Sequence, residues 1–384
     1  MNSSQQQPIK KIGIIGGGQL AWMMAGAAQK LNIELFIQTP KNTDPAVSIA
    51  TNSIFAPIDD ANATAQIAGL CDVITFENEF VNLEALNQLA QTGTLFRPSL
   101  NTLEPILDKY HQRCFMRDIG LPVPQFLSWD SPTTPQPLSY PLVMKARRHG
   151  YDGQGTIILK NPQDLETTWK SWGCPSVLLE EFIPFEQELA IIAARFPNGE
   201  IAIYPIVETQ QENQVCRRVI APATLTAEKT TEIEQIARTL LENLQAIGIF
   251  GIELFLTKQG KVLVNEVAPR THNSGHFSLD ACETSQFEQH LRAVCGLAPG
   301  QTTLNSAGAV MVNLLGYETC QNSYLEKRQR IADIPNAYLH WYGKTESRPG
   351  RKLGHVTVLL NSEPSELRQQ ALEISHQIES IWYP

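Results

Sequence analysis

The sequence predicts a mixed α/β chain folded as two or three domains, and three observations carry that reading. Apolar runs alternate with helical patterns through the first hundred residues, the signature of parallel βαβ units. From Leu142 the texture changes to short β-runs around single helices, with two hairpins among them. The length, 384 residues with 42% hydrophobic and 18% charged, holds several cores at roughly 100–200 residues per domain.

In chain order, Ile12–Ile15 reads as a buried strand, Gln19–Leu31 as a helix and Glu34–Ile37 as a second strand. Ser53–Ala56 precedes a helical Asp60–Leu70, then Cys71–Thr75 reads as strand and Leu83–Gln91 as helix. A turn-rich break at Asn101–Pro105 leads into a helix over Lys109–Ile119. Ser131–Pro141 carries Pro132, Pro135, Pro137 and Pro141 and reads as a linker or exposed loop. Leu142–Ala146 and Thr156–Leu159 are strands flanking a glycine loop, followed by a helix over Pro162–Trp172 and a strand over Val177–Glu181. Leu189–Arg195 and Glu200–Val207, split by Pro197-Asn198-Gly199, read as a hairpin, because Asn-Gly tolerates positive φ. Glu228–Ala246 is helical, and Gly251–Leu256 with Lys261–Val267 forms the second hairpin. The tail from about Ser306 holds strands at Val310–Leu314 and His355–Leu360 and a helix near Pro364–Ile381.

Composition excludes several function classes. Thirty Lys and Arg against 39 Asp and Glu leave a net charge of −9. Such a chain is a poor partner for nucleic-acid backbones, so any phosphate must be bound locally. The seven cysteines are scattered without C-x-x-C spacing, which fits reduced thiols and neither a disulfide framework nor a zinc cage. Met1–Lys10 lacks the apolar stretch of a secretory signal, and no apolar run approaches the roughly 18–20 residues of a membrane span. A cytoplasmic protein with no membrane partner is expected.

Two glycine loops carry chemistry. Gly16-Gly17-Gly18-Gln19-Leu20-Ala21 follows a strand and opens a helix, fitting G-x-G-x-x-A. A dinucleotide site would also want a carboxylate ending the second strand, and Phe36-Ile37-Gln38-Thr39 has none. A phosphorylated substrate or a bare tight turn remain open there. The second loop, Lys145 to Gly155, has a strand-end lysine and then Gly150, Gly153 and Gly155, a backbone free to fold over phosphates beside a point charge. It is not a Walker A loop, since no Gly-Lys-Ser/Thr precedes a helix.

Paired carboxylates add a metal. With a turn at Gln259-Gly260, Glu253 lies opposite Glu266, and a four-residue turn keeps both on one face. Two carboxylates within roughly 5–8 Å among apolar neighbours repel unless a cation lies between them. Hard oxygen ligands without Cys or His point to Mg²⁺ or Mn²⁺. A solvated face is the alternative. The following Ala268-Pro269-Arg270-Thr271-His272-Asn273-Ser274-Gly275-His276 supplies one fixed cation and several donors for a small anion, with His276 a candidate structural histidine.

Together these motifs resemble an ATP-grasp ligase. The glycine loops, Asn265-Glu266-x-Ala268-Pro269-Arg270-x-His272-Asn273-Ser274-Gly275-His276 and the tail His340-Trp341-Tyr342-Gly343-Lys344…Arg348-Pro349-Gly350-Arg351-Lys352-Leu353-Gly354-His355 are similar to the N5-carboxyaminoimidazole ribonucleotide synthetase family, from about Lys11 to Trp382. The resemblance implies an ATP-grasp fold in three parts. These are a Rossmann-like pre-ATP-grasp domain (1–104), an ATP-grasp domain (105–300, lid about 120–183) and a small β-rich C-terminal domain (301–384) completing the substrate site.

It also implies residue roles. Lys145 and Lys109 meet ATP phosphates, under a loop of Gly150, Tyr151, Asp152, Gly153, Gln154, Gly155 and Thr156. Glu180, Glu181, Phe182 and Ile183 hold adenine through the backbone, Glu188 holds the ribose, and Asn265 and Gln211 adjoin the nucleotide, Gln211 without a firm role. Glu253 and Glu266 are the metal ligands, and Arg270, His272 and Asn273 hold bicarbonate or carboxyphosphate. Asp152 orients the substrate amine or relays its proton, with loop shaping as the alternative. Gly18, Gln19, Lys344, Arg348 and Arg351 bind the ribonucleotide, although Ala21-Trp22 replaces the family's frequent Gly-Arg. The implied partners are aminoimidazole ribonucleotide, bicarbonate and ATP, in a homodimer. A formate-dependent formyltransferase of the same architecture should lack the His340–His355 tail. An NAD-dependent oxidoreductase or a nucleotide sensor is favoured only by the first glycine loop.

Overall fold

The computed structural model describes residues 8–131, 136–148, 150 and 155–384. The first sheet is parallel: β1 (Lys11–Ile15), β2 (Glu34–Thr39), β3 (Asn52–Phe55) and β4 (Val73–Phe76), in the order β3-β2-β1-β4. Helices cover both faces, which is why its central strands read as unbroken apolar runs. Ile12, Ile14 and Ile37 pack into one core, and Ile15, Phe36 and Phe76 into another.

The helix expected over Gln19–Leu31 is two helices, Gln19–Trp22 and Ala25–Leu31. Met24 N–H donates to Ala21 at 3.1 Å, a three-residue spacing that tightens the chain and interrupts the α-helical ladder.

A second, antiparallel sheet holds β5 (Phe126–Trp129), β6 (Leu142–Ala146), β7 (Thr156–Leu159) and β8 (Val177–Glu181), ordered β5-β8-β6-β7. Leu165 and Trp169 of the helix Pro162–Ser171 pack on Leu142, Met144 and Leu159.

The third sheet has nine strands: β9 (Phe185–Arg195), β10 (Ile201–Ile203), β11 (Val207–Glu212), β12 (Val215–Ala221), β13 (Gly248–Thr257), β14 (Val262–Ala268), β15 (Gly308–Leu315), β16 (Ala337–Trp341) and β17 (Lys352–Leu360). Its order is β14-β13-β9-β11-β12-β15-β17-β16, with β10 paired to β9. The C-terminal strands therefore continue the central sheet and make no separate one. The helix Ala227–Leu244, capped by Thr226, buries Ile233, Leu240 and Leu241 against it.

The strand expected over Glu200–Val207 is interrupted: β10 ends at Ile203, and Pro205, with no N–H to donate, breaks the ladder before β11. The β11–β12 hairpin was not foreseen. Its turn residues Asn213 and Gln214 both have positive φ (52° and 63°), without a glycine to announce it. β16 and the helix Leu325–Ala332 were likewise not foreseen. Among the described residues no helix is long and apolar enough to cross a membrane.

Candidate active site

The carboxylate pair depends on a bulge. The β13–β14 loop is Lys258-Gln259-Gly260, closed by Thr257 N–H to Lys261 O at 2.9 Å, one residue longer than the expected two-residue turn. In a regular ladder that loop would send Glu253 and Glu266 to opposite faces. The observed register pairs Leu254 with Val264 but Glu253 with Glu266, so Asn265 is an extra residue. The bulge returns Glu266 to the face of Glu253 and aims Asn265 there too: its Nδ2 donates to Glu253 Oε2 at 3.3 Å.

Burial and then the facing Glu266 push the Glu253 carboxyl up, to about 7. Burial also opposes ionisation of Glu266, but Lys109 and then Lys145 outweigh it and hold that carboxyl low. Lys109 Nζ lies 2.7 Å from Glu266 Oε2. Glu188 on β9, opposite Phe255 and Thr209, is raised to about 7 by burial and then by Glu253. These oxygens, with an amide and no thiolate among them, fit a hard divalent cation such as Mg²⁺.

Across the gap, Lys145 at the end of β6 donates to Asn265 Oδ1 at 3.0 Å and pairs with Glu180 Oε2 at 2.7 Å. Glu180 also takes Arg113 Nε. Burial resists ionisation of Glu180, yet Arg113 and then Lys145 bring its carboxyl down to about 2. Glu180 thus acts through its side chain as a counter-ion. Its backbone is inside the ladder, facing Phe126 on one side and Val143 on the other, and only Phe182 and Ile183 lie beyond the strand end, next to Glu181. Gly155 (φ 75°) accepts Ala146 N–H at 2.7 Å and closes the base of the glycine loop, while Thr156 pairs with Lys145. Gly150 is partly buried; Tyr151, Asp152, Gly153 and Gln154 lie outside the described residues. Gln211 sits beyond a bulge on β11, opposite Cys216.

The loop after β14 forms the other wall. Arg270 forks onto Glu79, Nε to Oε2 at 2.6 Å and Nη2 to Oε1 at 3.0 Å. His272 Nε2 lies 3.5 Å from Glu253 Oε1, and its Nδ1 meets Ser274 Oγ at 2.8 Å. Gln286, wholly buried, holds the His272 backbone from both sides, at 3.0 and 2.8 Å. Gly251 in β13 lets this loop approach, since a Cβ there would stand 2.5 Å from His272 Cβ. Asn273 exchanges two amide bonds with Asn313, at 3.0 and 2.7 Å. His276 is buried and held neutral by burial and then by nearby cations, in keeping with a structural histidine.

At the first glycine loop the chain supplies its own anion. Leu20 N–H donates to Glu77 Oε1 at 3.3 Å, and a Cβ on Gly18 would stand 2.4 Å from that oxygen. Gly18 and Gln19 therefore flank a carboxylate rather than an open phosphate cradle. Burial raises Glu77 to about 7, with Arg270 pulling the other way and Lys344 adding a smaller pull. Lys344 Nζ donates to Lys352 O at 2.7 Å and stands 5.5 Å from the Tyr342 ring centre. Arg351 donates to Glu346 O at 2.8 Å, while Arg348 is 62% exposed. Sequence reasoning missed Glu77 and Glu79. Their signal was their place immediately after β4, at the carboxyl edge of a parallel sheet where ligands bind.

Residues 9–106 match the ribonucleotide synthetase preATP-grasp domain, 114–287 the ATP-grasp domain, and 309–370 the phosphoribosylaminoimidazole carboxylase C-terminal domain. The N5-carboxyaminoimidazole ribonucleotide synthase of Synechococcus elongatus is 52% identical over 100% of this chain and 98% of its own length. The chain belongs to the N5-carboxyaminoimidazole ribonucleotide synthase family. The Synechocystis synthase is 49% identical, covering 97% of this chain and 98% of its own. Among solved structures, the N5-carboxyaminoimidazole ribonucleotide synthetase of Thermotoga maritima superposes with a TM-score of 0.86 at 40% identity, covering 97% of this chain and 98% of that one. The Aspergillus clavatus synthase, solved with ADP and 5-aminoimidazole ribonucleotide, gives 0.87 at 29% identity, covering 96% and 99%. All three expected parts of the synthase fold are thus matched in order.

Proposed function

We propose that this chain is a carbon–nitrogen ligase of de novo purine biosynthesis. It carboxylates 5-aminoimidazole ribonucleotide with bicarbonate, and ATP is cleaved to ADP and phosphate. The observation that carries the reading is the 3.5 Å approach of His272 to Glu253, which joins a carboxylate site for a cation to a loop suited to a small anion. Family membership supplies the substrates.

A bicarbonate oxygen attacks the γ-phosphorus, the bond to the β-phosphate oxygen breaks, and ADP leaves carboxyphosphate behind. Magnesium or manganese held by Glu253 and Glu266 would neutralise charge on the phosphate oxygens. Lys145 and Lys109 add fixed positive charge on the same side, with Asn265 orienting Lys145. Arg270, His272 and Asn273 hold the carboxyl group, Arg270 fixed in direction by Glu79. The ribonucleotide amine then bonds to the carboxyl carbon, phosphate departs, and one amine proton is released, with Asp152 the residue we assign to orient the amine. Closing the loop over Gly150–Thr156 would exclude water from the intermediate. Glu181, Phe182 and Ile183 are assigned to adenine, Glu188 to the ribose, and Gln211 to the nucleotide's edge. Lys344 and Arg351 take the 5′-phosphate, with Gly18 and Gln19 beside them.

We further infer a cytoplasmic homodimer, and a division at residues 1–104, 105–300 and 301–384. The deciding experiment measures ADP release with and without aminoimidazole ribonucleotide, bicarbonate and formate, with the product followed by mass spectrometry. Release should require the ribonucleotide and bicarbonate. Dependence on formate would point to the formyltransferase instead, and indifference to the ribonucleotide would refute the assignment.

A further inference from the structure

Among the described residues, a polar seam beside Lys344 makes no hydrogen bond to the groups assigned to ATP. His340 on β16 lies opposite His355 on β17, and their rings stack with centres 4.6 Å apart and planes at 14°. His340 Nε2 meets both carboxylate oxygens of Asp280, at 3.1 and 2.9 Å. Asp280 stands on the short helix Ser278–Ala281, directly after the loop bearing Arg270, His272 and Asn273. His355 Nδ1 is 2.8 Å from the Tyr342 hydroxyl, and its buried Nε2 has no hydrogen-bond partner among the described residues. The Tyr342 ring meets Trp22 of the first domain edge-on, centres 6.2 Å apart, in a core shared with Leu20 and Met23, and Lys344 Nζ stands against it. His355 also lies opposite Asn313, the residue locked to Asn273.

A shared metal ion does not explain the cluster. The ligand atoms of Asp280, His340 and His355 lie within 4.8 Å of one another, but stacked imidazoles hold their lone pairs in separate planes. Packing alone does not explain it either, because an apolar seam would bury the hairpin at no desolvation cost. Directed bonds fix orientation instead. Among the described residues β16 is the last strand of its sheet and β17 its only ladder partner. Asp280 and Tyr342 give the hairpin two further anchors, one to the helix that follows the anion loop and one against the first domain.

We infer that Asp280, His340, His355 and Tyr342 form a positioning network that, through the Tyr342 ring, sets Lys344 in place for the ribonucleotide. They are positioning residues and touch no substrate. The inference rests on the assignment of Lys344 to the ribonucleotide, and its test separates the two.

Steady-state kinetics on Tyr342→Phe, which loses one oxygen, and Asp280→Ala should show a ribonucleotide KM raised fivefold or more. The ATP KM and kcat should stay within twofold. Asp280→Asn keeps an acceptor for His340 and should recover most of the loss. In parallel, acetylation of Lys344 by acetic anhydride, read by mass spectrometry without any substrate, should run at least threefold faster in Tyr342→Phe than in the parent relative to other lysines. A ribonucleotide KM within twofold in both variants, or an equal rise for ATP, overturns the network. If Asp280→Ala does not fold, Tyr342→Phe decides alone. If the parent enzyme does not turn over aminoimidazole ribonucleotide, the proposed reaction fails, and the network then stands or falls on the Lys344 labelling rate.

Discussion

Replacing Glu180 by Gln removes the charge that Arg113 and Lys145 share while keeping the shape of the side chain. The Glu180 carboxyl is drawn from its ordinary 4.5 down to about 2, and its side chain is 3% exposed, so solvent screens little of the effect. At about 1.4 kcal/mol per unit, the ion cluster contributes on the order of 3 kcal/mol near neutral pH. That lies at the lower end of the roughly 3–5 kcal/mol for stranding a buried partner charge, as expected when glutamine keeps one acceptor. Because the folded pKa is depressed, the stabilisation is complete above about 4.5 and is lost as pH falls toward 2. Native-state hydrogen exchange at the β8 amides reads the local opening. At pH 7 the variant should open roughly a hundredfold more readily, and by pH 3.5 the gap should shrink by on the order of 1 kcal/mol. Lys145, stripped of its counter-ion, should also lose charge more easily, since burial already lowers its pKa, so ATP affinity should fall at the alkaline end. Opening within threefold of the parent at pH 7, or a gap that widens on acidification, would refute this account.

Glu253→Gln or Glu266→Gln should leave the fold intact and cut ATP cleavage by a large factor. Near-normal turnover of both at low Mg²⁺ would remove the metal assignment. Lys344→Ala and Arg351→Ala should raise the ribonucleotide KM at least tenfold, at about 1.5–3 kcal/mol per charge-assisted bond, with ATP barely affected. Arg348→Ala should change little, because that side chain points to solvent, and titrating both substrates against all three variants checks the contrast. Gly251→Ala would drive a methyl group to 2.5 Å from His272 Cβ, so kcat should fall while ATP binding, measured by calorimetry, persists. An unchanged kcat would show that His272 can move without consequence.

Much of the fold was legible because period and punctuation agree. The alternation of β1 to β4 with helices and the strands β6, β7 and β8 all stand where apolar runs and glycines put them. What escaped has physical reasons. The break at Met23-Met24 changes hydrogen-bond spacing without a proline or glycine to mark it. β16 is an edge strand with polar and aromatic residues mixed, so no clean two-residue alternation signals it. In the site, Glu253 and Glu266 were foreseen as partners from a turn one residue too short. The longer loop and the bulge at Asn265 offset one another, and neither is visible in composition. Glu77 and Glu79 escaped because a carboxylate after a strand looks like any loop residue until Arg270 and the Leu20 amide are seen to converge on them.

The extra residue at Asn265 gives β14 something like a reading frame. Side chains in a strand alternate with every residue, so inserting one position between Val264 and Asn265 while the bulge persists would act on this sheet as a frameshift acts on a message. Every later side chain up to Ala268 would exchange inside for outside, carrying Glu266 away from Glu253 while Asn265 came opposite it. A redesign that smoothed the hairpin into a regular ladder could retain each named residue and still abolish the site. Among descendants of this chain, insertions on this side of the hairpin can persist only in twos or with a compensating irregularity elsewhere along the strand, whereas a single deletion is absorbed by loss of the bulge.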